Sequence, residues 1–72
     1  MKLHYYPETD SLYVEFQGVP STDTREIAPG INLDLDARGR PVGLDIDHAS
    51  KILDLKAVET VGLPVPSRAA GE

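Results

Sequence analysis

The segment from Gly30 to Asp47, GINLDLDARGRPVGLDID, constrains the fold more than any other part of this chain. Apolar and polar residues alternate on both sides of a turn centred on Arg38-Gly39. Residues repeating every second position share one face of a strand. Ile31, Leu33, Leu35, Val42, Leu44 and Ile46 therefore face one way, and Asn32, Asp34, Asp36, Gly43, Asp45 and Asp47 the other. The pattern predicts a β-hairpin with an apolar face and an acidic face. Pairing Leu35 with Val42, Leu33 with Leu44 and Ile31 with Ile46 makes every inward pair aliphatic, so this is the expected register.

The remainder supplies strands to extend that hairpin. Lys2–Tyr6 and Ser11–Gln17 alternate in the same way, and Pro7-Glu8-Thr9-Asp10 has the composition of a turn. Setting Tyr5 opposite Leu12 and Leu3 opposite Val14 keeps the apolar residues of this pair together. Thr22–Ala28 carries Asp23, Arg25 and Glu26, with no apolar face beyond Ile27 and Ala28. Charges of this kind discourage unwanted pairing, so an edge strand is expected, with a loop as the alternative. After Asp47, expected as an N-cap, the period becomes helical. Ala49, Ile52 and Leu53 can then lie on the apolar face, in a helix that starts near His48 and breaks near Asp54.

The expected fold class is therefore α+β. It is a small antiparallel β-meander of four to five strands with one C-terminal helix packed on the apolar face. Residues 1–61 form a single domain and 62–72 a flexible tail. The expected core is Leu3, Tyr5, Leu12, Val14, Phe16, Ile31, Leu33, Leu35, Val42, Leu44 and Ile46, closed by Ile52 and Leu53.

A chain of 72 residues buries only about 60% of the surface it exposes when unfolded. Small scaffolds compensate with disulfides, metals or partner chains. The sequence has no cysteine, and His4 and His48 are not spaced as a metal pair. That leaves association, and a homo-oligomer or a complex with another protein is expected over an isolated monomer. The formal net charge of −5 argues against direct nucleic-acid binding, which needs clustered Lys and Arg. No apolar run approaches the ~18 residues of a membrane helix, and MKLHYY lacks a signal-peptide core, so a cytoplasmic location is expected.

Chemistry-bearing residues are few. Asp34, Asp36, Asp45 and Asp47 share the outer face, but side chains two apart on a strand stand ~7 Å from one another and parallel. They do not converge as calcium or an acid–base pair requires, so no metal, cofactor or catalytic residue is assigned. A metal-dependent or enzymatic use of these aspartates is the alternative, and a purely structural oligomerisation domain is another. The surface Asp34, Asp36, Gly43 and Asp45 is the candidate seat for a small basic protein partner. Gly43 within a strand marks either a bulge or the close approach of another backbone. Asp47, His48 and Ser50 do not read as a triad, because neighbours in one helical turn splay apart. Tyr6 and Tyr13 read as ordinary surface, and His4 as a partly exposed polar position.

YYPETDSLYVEF followed by REIAPGINLDLDARGRPVGLDIDHASK resembles the small bacterial family called domain of unknown function 2283. Asp10, Leu12, Tyr13 and Val14 fit its Asp-x-Leu-Tyr-Ile element. Gly30, Asp34, Asp36, Gly39, Val42, Gly43, Ile46, Ala49 and Ser50 fit its second half. Tyr6 departs from a common Asp, and Asp45 from the usual Glu. The resemblance implies a compact β-meander with a helix and no established activity or cofactor. Through members encoded beside small toxin-like proteins, it also implies an antitoxin-like role.

Overall fold

A computed structural model describes residues 1–64. Of the flexible tail expected over 62–72, residues 65–72 lie outside the described residues. Five strands run in chain order: β1 (Lys2–Tyr6), β2 (Ser11–Glu15), β3 (Asp23–Ala28), β4 (Ile31–Leu35) and β5 (Pro41–Ile46). They form one antiparallel sheet in the spatial order β1-β2-β5-β4-β3. The fold is the expected small α+β arrangement, with one refinement. β3, β4 and β5 are joined by hairpins, and β5 then docks on β2 rather than leaving β3 beside it. The β2–β3 connection passes the ends of β5 and β4, held by Gln17 Nε2 donating to the Pro41 carbonyl and Thr22 N–H to that of Leu35.

Hydrophobic pairing accounts for the registers. Leu3 faces Val14 and Tyr5 faces Leu12, while Ile31 faces Ile46 and Leu33 faces Leu44. The Leu35–Val42 pairing is displaced, and Leu35 lies opposite Pro41. The turn explains this. The Asp36 amide donates to the Arg40 carbonyl, Gly39 N–H returns to the Asp36 carbonyl, and Gly39 sits at φ 79°. Closing the loop there would place aliphatic residues opposite polar ones further along the hairpin. One extra residue at Val42 restores the in-phase register, with Asp34 opposite Gly43. Asp36 further secures the turn, its Oδ1 accepting from the Arg38 and Arg40 amides.

β3 is an edge strand, as its charges predict, with a second register shift at Ile27. Its register puts Asp23 and Arg25 on the face of Leu35 and Leu33. Pro29-Gly30 makes the tight β3–β4 link, with Gly30 at φ 78°.

The helix departs most from expectation. α1 spans only Ala49–Ile52, and Asp47 does not cap it. The N-cap is His48, left-handed at φ 53° and ψ 42°, with no side-chain cap bond. Asp47 instead continues the hairpin, its amide donating to the Gly30 carbonyl. Caps come from a distant turn: Ala49 N–H donates to the Asp10 carbonyl, and Ser50 N–H to Asp10 Oδ1. So short a helix buries Ala49 completely but leaves Ile52 and Leu53 exposed, so these two do not close the core. The buried apolar residues are Leu35, Val42, Ile46 and Ala49, and Leu3 and Tyr5 are also more exposed than a core position would be.

Candidate functional site

The two faces of the sheet are built differently. On the outer face, Tyr13 of β2 leans across β5 and donates its hydroxyl to Asp34 Oδ2 on β4, at 2.8 Å. Thr24 of β3 donates to the other oxygen of the same carboxylate, at 2.7 Å. One aspartate therefore ties three strands together over a fourth. What lets the tyrosine cross is Gly43: a Cβ there would collide with the Tyr13 ring and hydroxyl. Sequence offered a bulge or the approach of another backbone at Gly43; the structure puts a side chain of this same chain against it, and the extra residue of β5 is its neighbour Val42. The gap in the acidic face is filled. Tyr13 is half-buried rather than an ordinary surface residue. Burial, reinforced by the hydrogen bond to Asp34, pushes its phenol up to about 12.

The four sequence-selected positions thus divide. Asp34 and Gly43 belong to the tyrosine crossing, and Asp36 is occupied by turn amides. Asp45 forms none of these bonds. Partial burial raises its pKa, and the negative charges of Asp47 and Asp34 raise it further. His4 lies 3.5 Å from Glu15 through Nε2, an ion pair whenever the imidazole is protonated. Among the described residues, no three His, Cys, Asp or Glu side chains gather as a metal site would require.

A second polar knot lies at the head of the sheet. Asp10, left-handed at φ 53°, accepts from Tyr5 Oη at 2.7 Å and Ser50 Oγ at 2.8 Å, besides the Ser50 amide. The Tyr5 hydrogen bond, followed by that of Ser50, holds the Asp10 carboxyl below its ordinary value. Sequence reasoning did not anticipate Asp10 and Ser50 as partners, because 40 positions separate them.

On the inner face Leu35 and Ile46 are buried, and among the described residues the exposed apolar side chains lie at its margins and in the segment after β5. Leu3 is 52% exposed, Ile27 57%, Ile52 55% and Val58 62%. Leu55, Lys56 and Val58 stand beside Leu3, Tyr5 and Leu12, enclosing with Ser50 a groove of about 480 Å³. All strand residues lining that groove come from β1 and β2. A sheet apolar on one face must bury that face against a second layer, and a four-residue helix supplies little of one.

Together these features define a class: an antiparallel α+β domain with an internally satisfied polar face and, among the described residues, an apolar face only partly covered. The model of the family described as protein of unknown function DUF2283 matches residues 2–50, and the chain belongs to that family. No curated protein and no solved structure matches it. No helix among the described residues is long and apolar enough to cross a membrane.

Proposed function

We propose that this chain is a non-enzymatic protein-binding module of the cytoplasm that works through the inner face of its sheet. The exposure of Leu3, Tyr5 and Val58 at the β1 side of that face carries the reading. Monomers seldom leave contiguous apolar patches bare, and those that do use them as contact surfaces. The outer face is a weaker candidate for this contact, since Asp34 and Asp36 already have partners within the chain.

A second reading, an antitoxin-like seat for a small basic protein, draws on Asp45. Its carboxyl lies near Asp47 and Asp34, and a partner's Lys or Arg would relieve that crowding of negative charge. The two readings separate in one experiment. The chain is immobilised and challenged with host extract alongside its Leu3→Lys and Asp45→Lys variants. A protein held in high salt and lost with Leu3→Lys supports the inner face. One that elutes with salt and is lost with Asp45→Lys supports the acidic face. If neither another protein nor free copies of the chain are retained, the module reading fails.

A further inference from the structure

We infer that residues 49–58 form a strap that opens as one unit about His48 while the sheet stays folded, with Asp10 as its latch. Only the bearing of this motion on partner contact rests on the module reading above. Three observations carry the inference.

The first is how little apolar packing fastens the segment. Ala49 is fully buried and Leu55 half-buried, but Ile52 is 55% exposed, Leu53 39% and Val58 62%. Leu55, Lys56 and Val58 share with Leu3, Tyr5 and Leu12 the lining of a groove of about 480 Å³. The segment therefore borders β1 and β2 around open space. Segments with few buried apolar side chains open locally at a fraction of the global unfolding free energy.

The second is the latch. Among the described residues, every hydrogen bond from residues 49–58 to the sheet and its turns ends on Asp10. Ala49 N–H donates to its carbonyl, Ser50 N–H to Oδ1 at 3.1 Å and Ser50 Oγ to Oδ2 at 2.8 Å. The other bonds of the segment are local, from Lys51 to His48, Leu53 to Ala49, and Lys56 and Ala57 to Asp54. Asp10 itself is held from the sheet side, where Tyr5 Oη donates to Oδ1 at 2.7 Å. Loss of one residue's bonds thus frees the whole segment and leaves β1 and β2 paired.

The third is the hinge. The Asp47 amide still donates to the Gly30 carbonyl, so the end of β5 is anchored. His48 follows at φ 53° and ψ 42°, a left-handed conformation that a residue with a Cβ holds at a cost. Release of the chain beyond it relieves that strain. Opening bares Leu12 alongside Leu3 and Tyr5, so the apolar surface offered to a partner exists in two forms.

Native-state hydrogen exchange of the full chain, read residue by residue by NMR, tests this. The Ala49, Ser50 and Leu53 amides should share one level of protection, ~100-fold or more below that of the β4–β5 amides. Asp10→Gly keeps the left-handed turn and deletes the carboxylate. It should widen that gap by about tenfold or more, for all three amides together. Ser50→Ala removes one bond without touching the turn, and should widen it in the same way but less. The inference is overturned by strap amides as protected as the ladder. It is overturned equally by variants that expose the Ser50 amide alone and leave Leu53 unchanged. A strap that opens on a chain retaining no protein from extract leaves the inference standing and removes only the module reading. A strap that opens only with the sheet, on a chain that does retain one, does the reverse.

Discussion

The outer face of this sheet is the more polar and yet the more finished; the inner face is apolar and, among the described residues, only partly covered. Polar groups on the outer face find one another because hydrogen bonds are directional, and a single carboxylate can accept from two strands. Tyr13, Asp34 and Thr24 achieve this within one layer. Apolar burial has no such economy, since it needs a second surface, and the four residues of α1 supply little of one. The contrast teaches that the visible acidic patch is largely structural, and that the exposed apolar surface lies on the other side.

The strongest way to break the contrast is Gly43→Ala. The added Cβ must evict the Tyr13 ring, which uncovers β5 and costs Asp34 a donor. Overpacking of this kind costs about 1–3 kcal/mol, a large part of the roughly 4–10 kcal/mol expected of a domain this size. Chemical denaturation checks it. Combined with Tyr13→Ala, the loss should be clearly less than additive, because both changes remove the same crossing.

Tyr13→Phe isolates the hydrogen bond and should cost about 1–2 kcal/mol, since the acceptor is a carboxylate. The parent should also lose stability in alkali. Its folded-state phenol titrates near 12 against an ordinary 10.0, so the fold favours the neutral form. That contribution is whole below the unfolded value and is lost as pH rises through the folded one. Denaturation midpoints between pH 9 and the onset of alkaline unfolding should fall for the parent and stay flatter for Tyr13→Phe.

Asp10 responds in the opposite direction. Its carboxyl is held below the ordinary value, so its stabilisation is present above that value and is lost as pH falls through the lower, folded one. Asp10→Asn tolerates the left-handed backbone but does not titrate. The variant should be somewhat weaker at neutral pH and lack part of the parent's acid sensitivity, read as a smaller drop in denaturation midpoint between pH 5 and pH 2.

The inner face was legible in the sequence because period-two alternation fixes both face and register, and Leu33–Leu44 and Tyr5–Leu12 follow from it directly. The edge position of β3 follows from its charges. What escaped was contact set by tertiary geometry. Tyr13 looks like any outward tyrosine until β5 is inserted beside β2, which places Gly43 in its path. Asp47 has the right chemistry for an N-cap, but the left-handed turn at His48 passes that task to Asp10. The Leu35–Val42 offset is governed by the loop that Asp36 closes, which a two-arm alternation does not encode.

The smallest predicted effect sharpens the comparison from the acidic side. Asp45 is the sequence-selected carboxylate without a partner in the tyrosine crossing or the turn, and its pKa is raised by burial and by Asp47 and Asp34. A raised carboxyl stabilises the fold when protonated. Its contribution is full below the unfolded value and falls away as pH climbs through the folded one. At neutral pH the charge is therefore a mild liability, and Asp45→Asn should gain about 0.5 kcal/mol or less, with the gain shrinking toward pH 3 and in high salt. Thermal melts at two pH values and two ionic strengths check both trends. A loss of stability at neutral pH would mean that Asp45 has a favourable partner within the fold. The outer face would then be closed at this position too.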